Sequence, residues 1–132
     1  MRPEKKRELA TRRHRRVRRK VMGSGARPRM SICFTQENIY VQFIDDAKGV
    51  TLASASTRSK TLPDRDQMSA NVNSASRIGT LAAEAAIAKG IEDVVFDRGA
   101  ARYHWSKGKD GKVVHGKLSA LAEAARKAGL KF

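Results

Sequence analysis

From Met30 to Ser56 apolar and polar residues alternate with a period of two. Met30, Ile32 and Phe34 alternate with Ser31, Cys33 and Thr35, and Gln36-Glu37-Asn38 then supplies a turn. Ile39 to Asp45 predicts a second strand, Asp46-Ala47-Lys48-Gly49 a second turn and Val50 to Ser56 a third strand. Turns this short make an antiparallel meander. Arg58 to Asn71 is polar, contains Pro63 and reads as a loop. The period then changes. Ile78, Leu81, Ala82 and Ala85 share one face of a helix that Asn73 or Ser74 can cap, running to Lys89 with Gly90 as its stop. Asp93 to Asp97 predicts a short buried strand. Lys117 to Ala128 predicts the last helix, with Leu118, Leu121, Ala122 and Ala125 inward and Gly129 ending it. The class is α/β in β-β-β-α-β-α order. One helix crossing over into a fourth, parallel strand implies a mixed sheet with helices packed on it.

Ahead of this pattern lies a different kind of segment. Residues 4–22 hold no Pro or Gly and are rich in good helix formers, so they predict a basic N-terminal helical arm. Leu9, Ala10, Val17, Val21 and Met22 make no broad apolar stripe, and a helix polar on nearly every side needs a partner or stays loose. Arg12 to Lys20 places seven cations in nine residues with no anion. Such crowding destabilises an isolated helix and phosphate relieves it, so the expectation is an arm disordered alone and helical on RNA. A mitochondrial presequence is the rival reading, opposed by Glu4, Glu8, the scarcity of Ser and the missing apolar face. Gly23, Ser24, Gly25 and Pro28 predict a hinge. The chain thus divides into an arm and hinge, 1–26, and a single globular α/β domain, 27–132, with a basic insertion at about 104–115.

Charge sharpens this division. The 132 residues carry a net +15. Residues 1–30 hold a net +11, residues 31–97 a net −3 and residues 98–117 a net +5. Cations gathered in the arm and in a late loop, with the middle of the domain slightly acidic, point to a polyanion and above all to nucleic acid. Hydrophobic residues make up 40%, enough for a modest core. No apolar run approaches the roughly 20 residues that cross a bilayer. Cys33 is the only cysteine, which excludes an intrachain disulfide and fits a reducing compartment such as the cytoplasm.

The candidate chemistry narrows further. A β-β-β-α-β-α order also underlies ribonuclease-H-type nucleases, and Asp45, Asp46, Glu84 and Asp97 are the acids that could hold two metal ions. Turn chemistry at Asp46, the position of Glu84 off the apolar face and an Asp97–Arg98 pair account for them without catalysis. His14, His104 and His115 show no metal-ligand spacing, and no phosphate-cradling Gly-rich loop is present. No enzyme, metal, cofactor or small-molecule substrate is therefore expected. Tyr40, Tyr103, His104 and Trp105 could stack on unpaired bases, Tyr40 being equally able to pack in the core. A polycation bound to acidic membranes is a further alternative, weakened by the arm's lack of an apolar face.

Several segments resemble one family. Arg27-Pro28-Arg29-Met30-Ser31, Asn38-Ile39-Tyr40-Val41-Gln42, Asp45-Asp46, Thr51-Leu52-Ala53-Ser54-Ala55-Ser56, Ala88-Lys89-Gly90-Ile91, Val94-Val95-Phe96-Asp97-Arg98-Gly99 and the ending Ala124 to Phe132 are similar to bacterial large-subunit ribosomal protein eighteen. The match runs in order over essentially the whole chain. The Phe-Asp-Arg-Gly segment and the Ala-Gly-Leu-x-Phe ending are highly specific together. The resemblance implies a non-catalytic protein of the large ribosomal subunit. It implies binding to 5S rRNA, attachment of that RNA to 23S rRNA in the central protuberance, and 5S-associated ribosomal proteins as neighbours. It also implies a sheet-plus-helices fold with a basic arm.

One departure stands out. The family reads Arg-Tyr-His-Gly-Arg/Lys before its last helix, whereas here Arg102-Tyr103-His104 is separated from His115-Gly116-Lys117. Deleting 105–115 or 104–114 restores the family text equally well, so the family histidine aligns with either His104 or His115. The inserted stretch carries Lys107, Lys109 and Lys112, and Asp110-Gly111 can turn a small hairpin. The residues expected to meet RNA are Arg12, Arg13, His14, Arg15, Arg16, Arg18, Arg19 and Lys20 on the arm, with Arg27 and Arg29 at the hinge. Arg98, Arg102, Tyr103 and His104 are expected to do so on the other side of the molecule.

Overall fold

The alternating segments do form the meander. A computed structural model describes residues 1–132, except for the side chain of Arg65. Strands β1 (Arg29–Phe34), β2 (Ile39–Asp45) and β3 (Val50–Ser56) pair antiparallel in sequence order. Strand β4 (Val95–Asp97) pairs parallel with β1, giving the spatial order β3-β2-β1-β4. The period of two sorts the side chains: Met30, Ile32, Ile39, Val41 and Phe43 are buried, while Cys33, Gln42 and Ser54 are exposed. Over the buried face lie helices α2 (Val72–Ile87) and α3 (Lys117–Lys127). Helix α2 contributes Ala75, Ile78, Ala82, Ala83 and Ala86, and α3 contributes Leu118, Leu121 and Ala125. The two helices touch through backbone at Gly79, where a Cβ would sit 2.4 Å from the carbonyl oxygen of Leu121. Only glycine permits that crossing.

Element ends shift by one to three residues. Asn71, not Asn73 or Ser74, caps α2: its side-chain oxygen accepts the Ser74 N–H at 2.8 Å. Helix α2 ends at Ile87 and α3 at Lys127, short of Lys89 and Ala128. Strand β4 begins at Val95 rather than Asp93 because the C-terminal tail engages the residues before it. The Val94 N–H donates to the Lys131 carbonyl at 3.1 Å, and Asp93 bridges to Lys131. The tail ends with Phe132 stacked on Phe96, ring centroids 5.1 Å apart, and the Arg126 guanidinium 4.5 Å above the Phe132 ring.

Two segments outside the sheet complete the chain. Between β4 and α3 the inserted residues fold as a hairpin of β5 (Trp105–Lys107) and β6 (Val113–His115). Its tip closes where the Gly108 N–H donates to the Lys112 carbonyl and Asp110 accepts the Lys112 N–H, as Asp110-Gly111 predicted. The arm is a formed helix, α1 (Pro3–Arg18), with no buried residue. The helix expected of the arm is present. Pro3 and Glu4 suit its first turn, an Arg12–Glu8 ion pair relieves part of the charge crowding, and its far end is anchored to the sheet.

Candidate nucleic-acid interface

The anchor is built from an arginine and two aspartates. Arg29 opens β1 on the sheet face opposite Met30, and the parallel pairing of β1 with β4 brings Asp97 to that same face. Arg29 Nη1 donates to Asp97 at 2.7 Å, while Nε and Nη2 donate to Asp46 at 2.9 and 3.0 Å. The paired geometry on Asp46 is the bidentate fork that a guanidinium offers a carboxylate. Asp46 also accepts the backbone N–H of Gly23 at 2.7 Å and Arg18 Nη2 at 3.4 Å. Arg29 holds the Asp46 carboxyl at about 2, well below its ordinary 3.8, against the opposing effect of burial. The same hydrogen bonds raise the pKa of Arg29. Gly23 is pressed onto the sheet: a Cβ there would lie 2.4 Å from both the Arg29 nitrogen and the Ile44 oxygen. The expected hinge is therefore a clamp, and it fixes the C-terminal end of α1 against the sheet.

Two expectations change at this point. Arg29, expected to neutralise phosphate, is 9% exposed and committed to Asp46 and Asp97. Asp97 pairs with Arg29 rather than Arg98, because the parallel crossover sets it beside β1. Asp46 stands first in the turn after β2, as expected, while the side chain that closes the turn is that of Asp45, accepting the N–H groups of Ala47 and Lys48. Asp46 and Asp97 converge as a nuclease would require, but a guanidinium occupies the space between them. Glu84 is exposed on α2, and no group of acids, histidines or cysteines among the described residues could hold a metal ion.

The remaining arm cations are differently placed. Arg15, Arg16, Arg19 and Lys20 are exposed, and their side chains make no ion pair or hydrogen bond among the described residues. Arg12 is exposed beside Glu8. Arg13 is half-buried, its Nε enclosed without a hydrogen-bond partner. Arg18 is half-buried and donates to the Val21 carbonyl at 2.6 Å as well as to Asp46. Arg27 is exposed and reaches the Val94 carbonyl at 3.4 Å.

The loop after β4 joins the arm instead of lying across the molecule from it. His14 and Arg98 line one shallow hollow with Ser31, Cys33 and Ala100, and the His14 ring approaches Gly99. Arg98 donates to the Ala101 carbonyl. Arg102, Tyr103 and His104 follow, all exposed, with the Tyr103 hydroxyl donating to Glu123 at 3.3 Å. The two candidate family histidines differ in setting: His104 is exposed, whereas His115 is half-buried with Nδ1 2.5 Å from Ser119 Oγ. Sequence reasoning passed over the role of Asp46 as the arm's anchor. Its only linear signal is an acid placed directly after a strand, which turns share.

A small α/β protein that carries a pinned cationic helix belongs to the class of polyanion-binding proteins. Known proteins agree with that class. The family model for ribosomal L18 of archaea, bacteria, mitochondria and chloroplast matches residues 4–132. The large ribosomal subunit protein uL18 of Petrotoga mobilis is 46% identical over 127 residues, covering 96% of this chain and 95% of its own. The Clostridium novyi protein of that name is 43% identical over 129 residues, covering 98% and 97%. That of Synechococcus elongatus is 46% identical over 127 residues, covering 96% and 97%. The chain belongs to the ribosomal L18 family, and its role is that of a structural ribosomal protein, not an enzyme.

Proposed function

We propose that this chain is a structural constituent of the large ribosomal subunit that binds 5S rRNA through its arm and helps attach it to 23S rRNA in the central protuberance. The observation that carries the reading is the arm itself. The arm, α1 and the turn after it, is fixed at one end by Asp46 and leaves Arg15, Arg16, Arg19 and Lys20 without anions of their own among the described residues. Holding cations unneutralised on one helix is costly unless phosphates complete them. Arg12, Arg13 and His14 extend this surface along α1, Arg27 borders the clamp, and Arg98 continues it from the neighbouring loop. Arg102, Tyr103 and His104 lead away toward the hairpin, where 23S rRNA or the other 5S-associated proteins of the subunit are the partners. Among the described residues no helix is long and apolar enough to cross a membrane. The test is a gel-shift titration of the intact chain against 5S rRNA and against tRNA of similar size, at one fixed salt concentration. Tighter binding to 5S rRNA is expected. Equal affinity for both RNAs would reduce the arm to a non-specific polycation.

A further inference from the structure

The β5–β6 hairpin is out of place as a purely structural element. A two-stranded hairpin is marginal in water, and this one rests on α3 through little more than His115. It exposes Trp105 by 56%, Val113 by 49% and Val114 by 60%, beside a Tyr103 exposed by 39%. The pairing of Trp105 with His115 and of Lys107 with Val113 sets Trp105, Lys107 and Val113 on one face. Lys107 and Lys109 are exposed, as is Lys112, and none forms an ion pair among the described residues. Asp110, the only acid in the insertion, is turned to the tip's own backbone at Lys112. Large apolar groups left in water beside unpaired lysines mark a contact surface.

We propose that this hairpin is a second RNA-binding element, on which an unpaired strand of ribosomal RNA stacks a base against Trp105 while Lys107, Lys109 and Lys112 take up its phosphates. The proposal rests on the ribosomal reading above for its source of RNA. An exposed aromatic ring with lysines further along the same hairpin is the arrangement that grips single strands, since every base offers a π-face and the backbone needs neutralising. A duplex keeps its bases stacked away from such a ring. A protein partner is the poorer match, because lysine is depleted from protein interfaces.

Trp105 is the only tryptophan in the chain, so its fluorescence reports on this face alone. The intact chain is titrated with 5S rRNA, with 23S rRNA and with a single-stranded oligoadenylate. Quenching by the oligoadenylate and by at least one rRNA is expected. Trp105→Ala, which lacks the reporter and is read by gel shift beside the wild type, should weaken that interaction about ten- to a hundredfold. Replacing the three lysines by Gln should lower the slope of log K against log salt by about two, at roughly 0.7 per phosphate on a single strand. Both variants change exposed residues, and circular dichroism confirms that they fold. If 5S rRNA shifts in a gel while Trp105 emission is unmoved by all three RNAs, the hairpin proposal fails and the arm reading stands. If emission instead responds only to purified large-subunit proteins, the hairpin is a protein contact and the proposal is overturned. Should 5S rRNA show no preferential gel shift while the oligoadenylate still quenches Trp105, the arm reading falls and the hairpin remains.

Discussion

Arg29 shows how one side chain can be misjudged from its neighbours in sequence. Arg27 and Arg29 flank the same proline, yet Arg27 is exposed and Arg29 lies against two carboxylates. Strand alternation separated Arg29 from Met30, but the partners came from 17 and 68 residues away, which no local reading supplies. Arg29→Met strips the charge that keeps Asp46 and Asp97 side by side, and breaking a buried pair in this way costs about 3–5 kcal/mol. Urea unfolding should show that loss. Arg15→Met, by contrast, should leave stability within about half a kcal/mol and reduce RNA affinity. The pH dependence has a definite sign. Because the folded pKa of Asp46 is depressed, its stabilisation is complete above the ordinary value of 3.8 and is lost as pH falls toward about 2. Asp46→Asn lacks this titration. The stability gap between wild type and variant should therefore narrow as pH drops from about 4 to 2, and a gap that stayed constant would separate Asp46 from the arginine.

At the scale of elements, the meander and both core helices were legible because their periods are local properties. The two alternating strands and the Ile78-Leu81-Ala82-Ala85 face need only a few residues of context. Element ends were less so. The cap moved to Asn71 because the helix starts at Val72, and β4 shrank because the distant Lys131 bonds to the Val94 N–H. The arm helix was legible in composition, but its attachment was not. Gly23 read as a hinge residue, since glycine in a sequence signals freedom before it signals contact. Its actual constraint is steric: both atoms nearest a Cβ belong to backbone, Arg29 N and Ile44 O, and neither can rotate away. Gly23→Ala must push the clamp off the sheet, at a cost of about 1–3 kcal/mol. Loss of the Gly23–Asp46 hydrogen bond would then free the C-terminal end of α1. Limited trypsin digestion should cut the arm's arginines faster in this variant while the domain remains resistant. Unchanged cleavage would place the arm's anchor elsewhere.

At the scale of the whole molecule, the fold keeps stability and charge in separate places. The core lies between the sheet and α2–α3, whereas α1 holds no fully buried residue. Deleting residues 1–22 removes most of the arm but leaves Gly23, Asp46, Arg29 and Asp97 in place. The main interaction lost to the domain is the Arg18–Asp46 contact, a 3.4 Å pair with a partly exposed arginine. Such pairs contribute at most about 1 kcal/mol, which shifts the melting temperature of a domain this size by at most about 4 °C. Binding should suffer far more. Arg15, Arg16, Arg19 and Lys20 alone offer four free cations, and each phosphate neutralised on duplex RNA contributes about 0.9 to the slope of log K against log salt, by analogy with B-form DNA. The deletion should flatten that slope for 5S rRNA by roughly three to four units, with Arg98 and the hairpin lysines left to hold what remains. Calorimetry and salt-dependent gel shifts on the same truncated chain separate the two effects. A truncated chain that unfolds cooperatively near the wild-type temperature but has lost the steep salt dependence would assign the arm to RNA. One that loses its folded state, or keeps the full slope, would mean that α1 serves the domain rather than the nucleic acid.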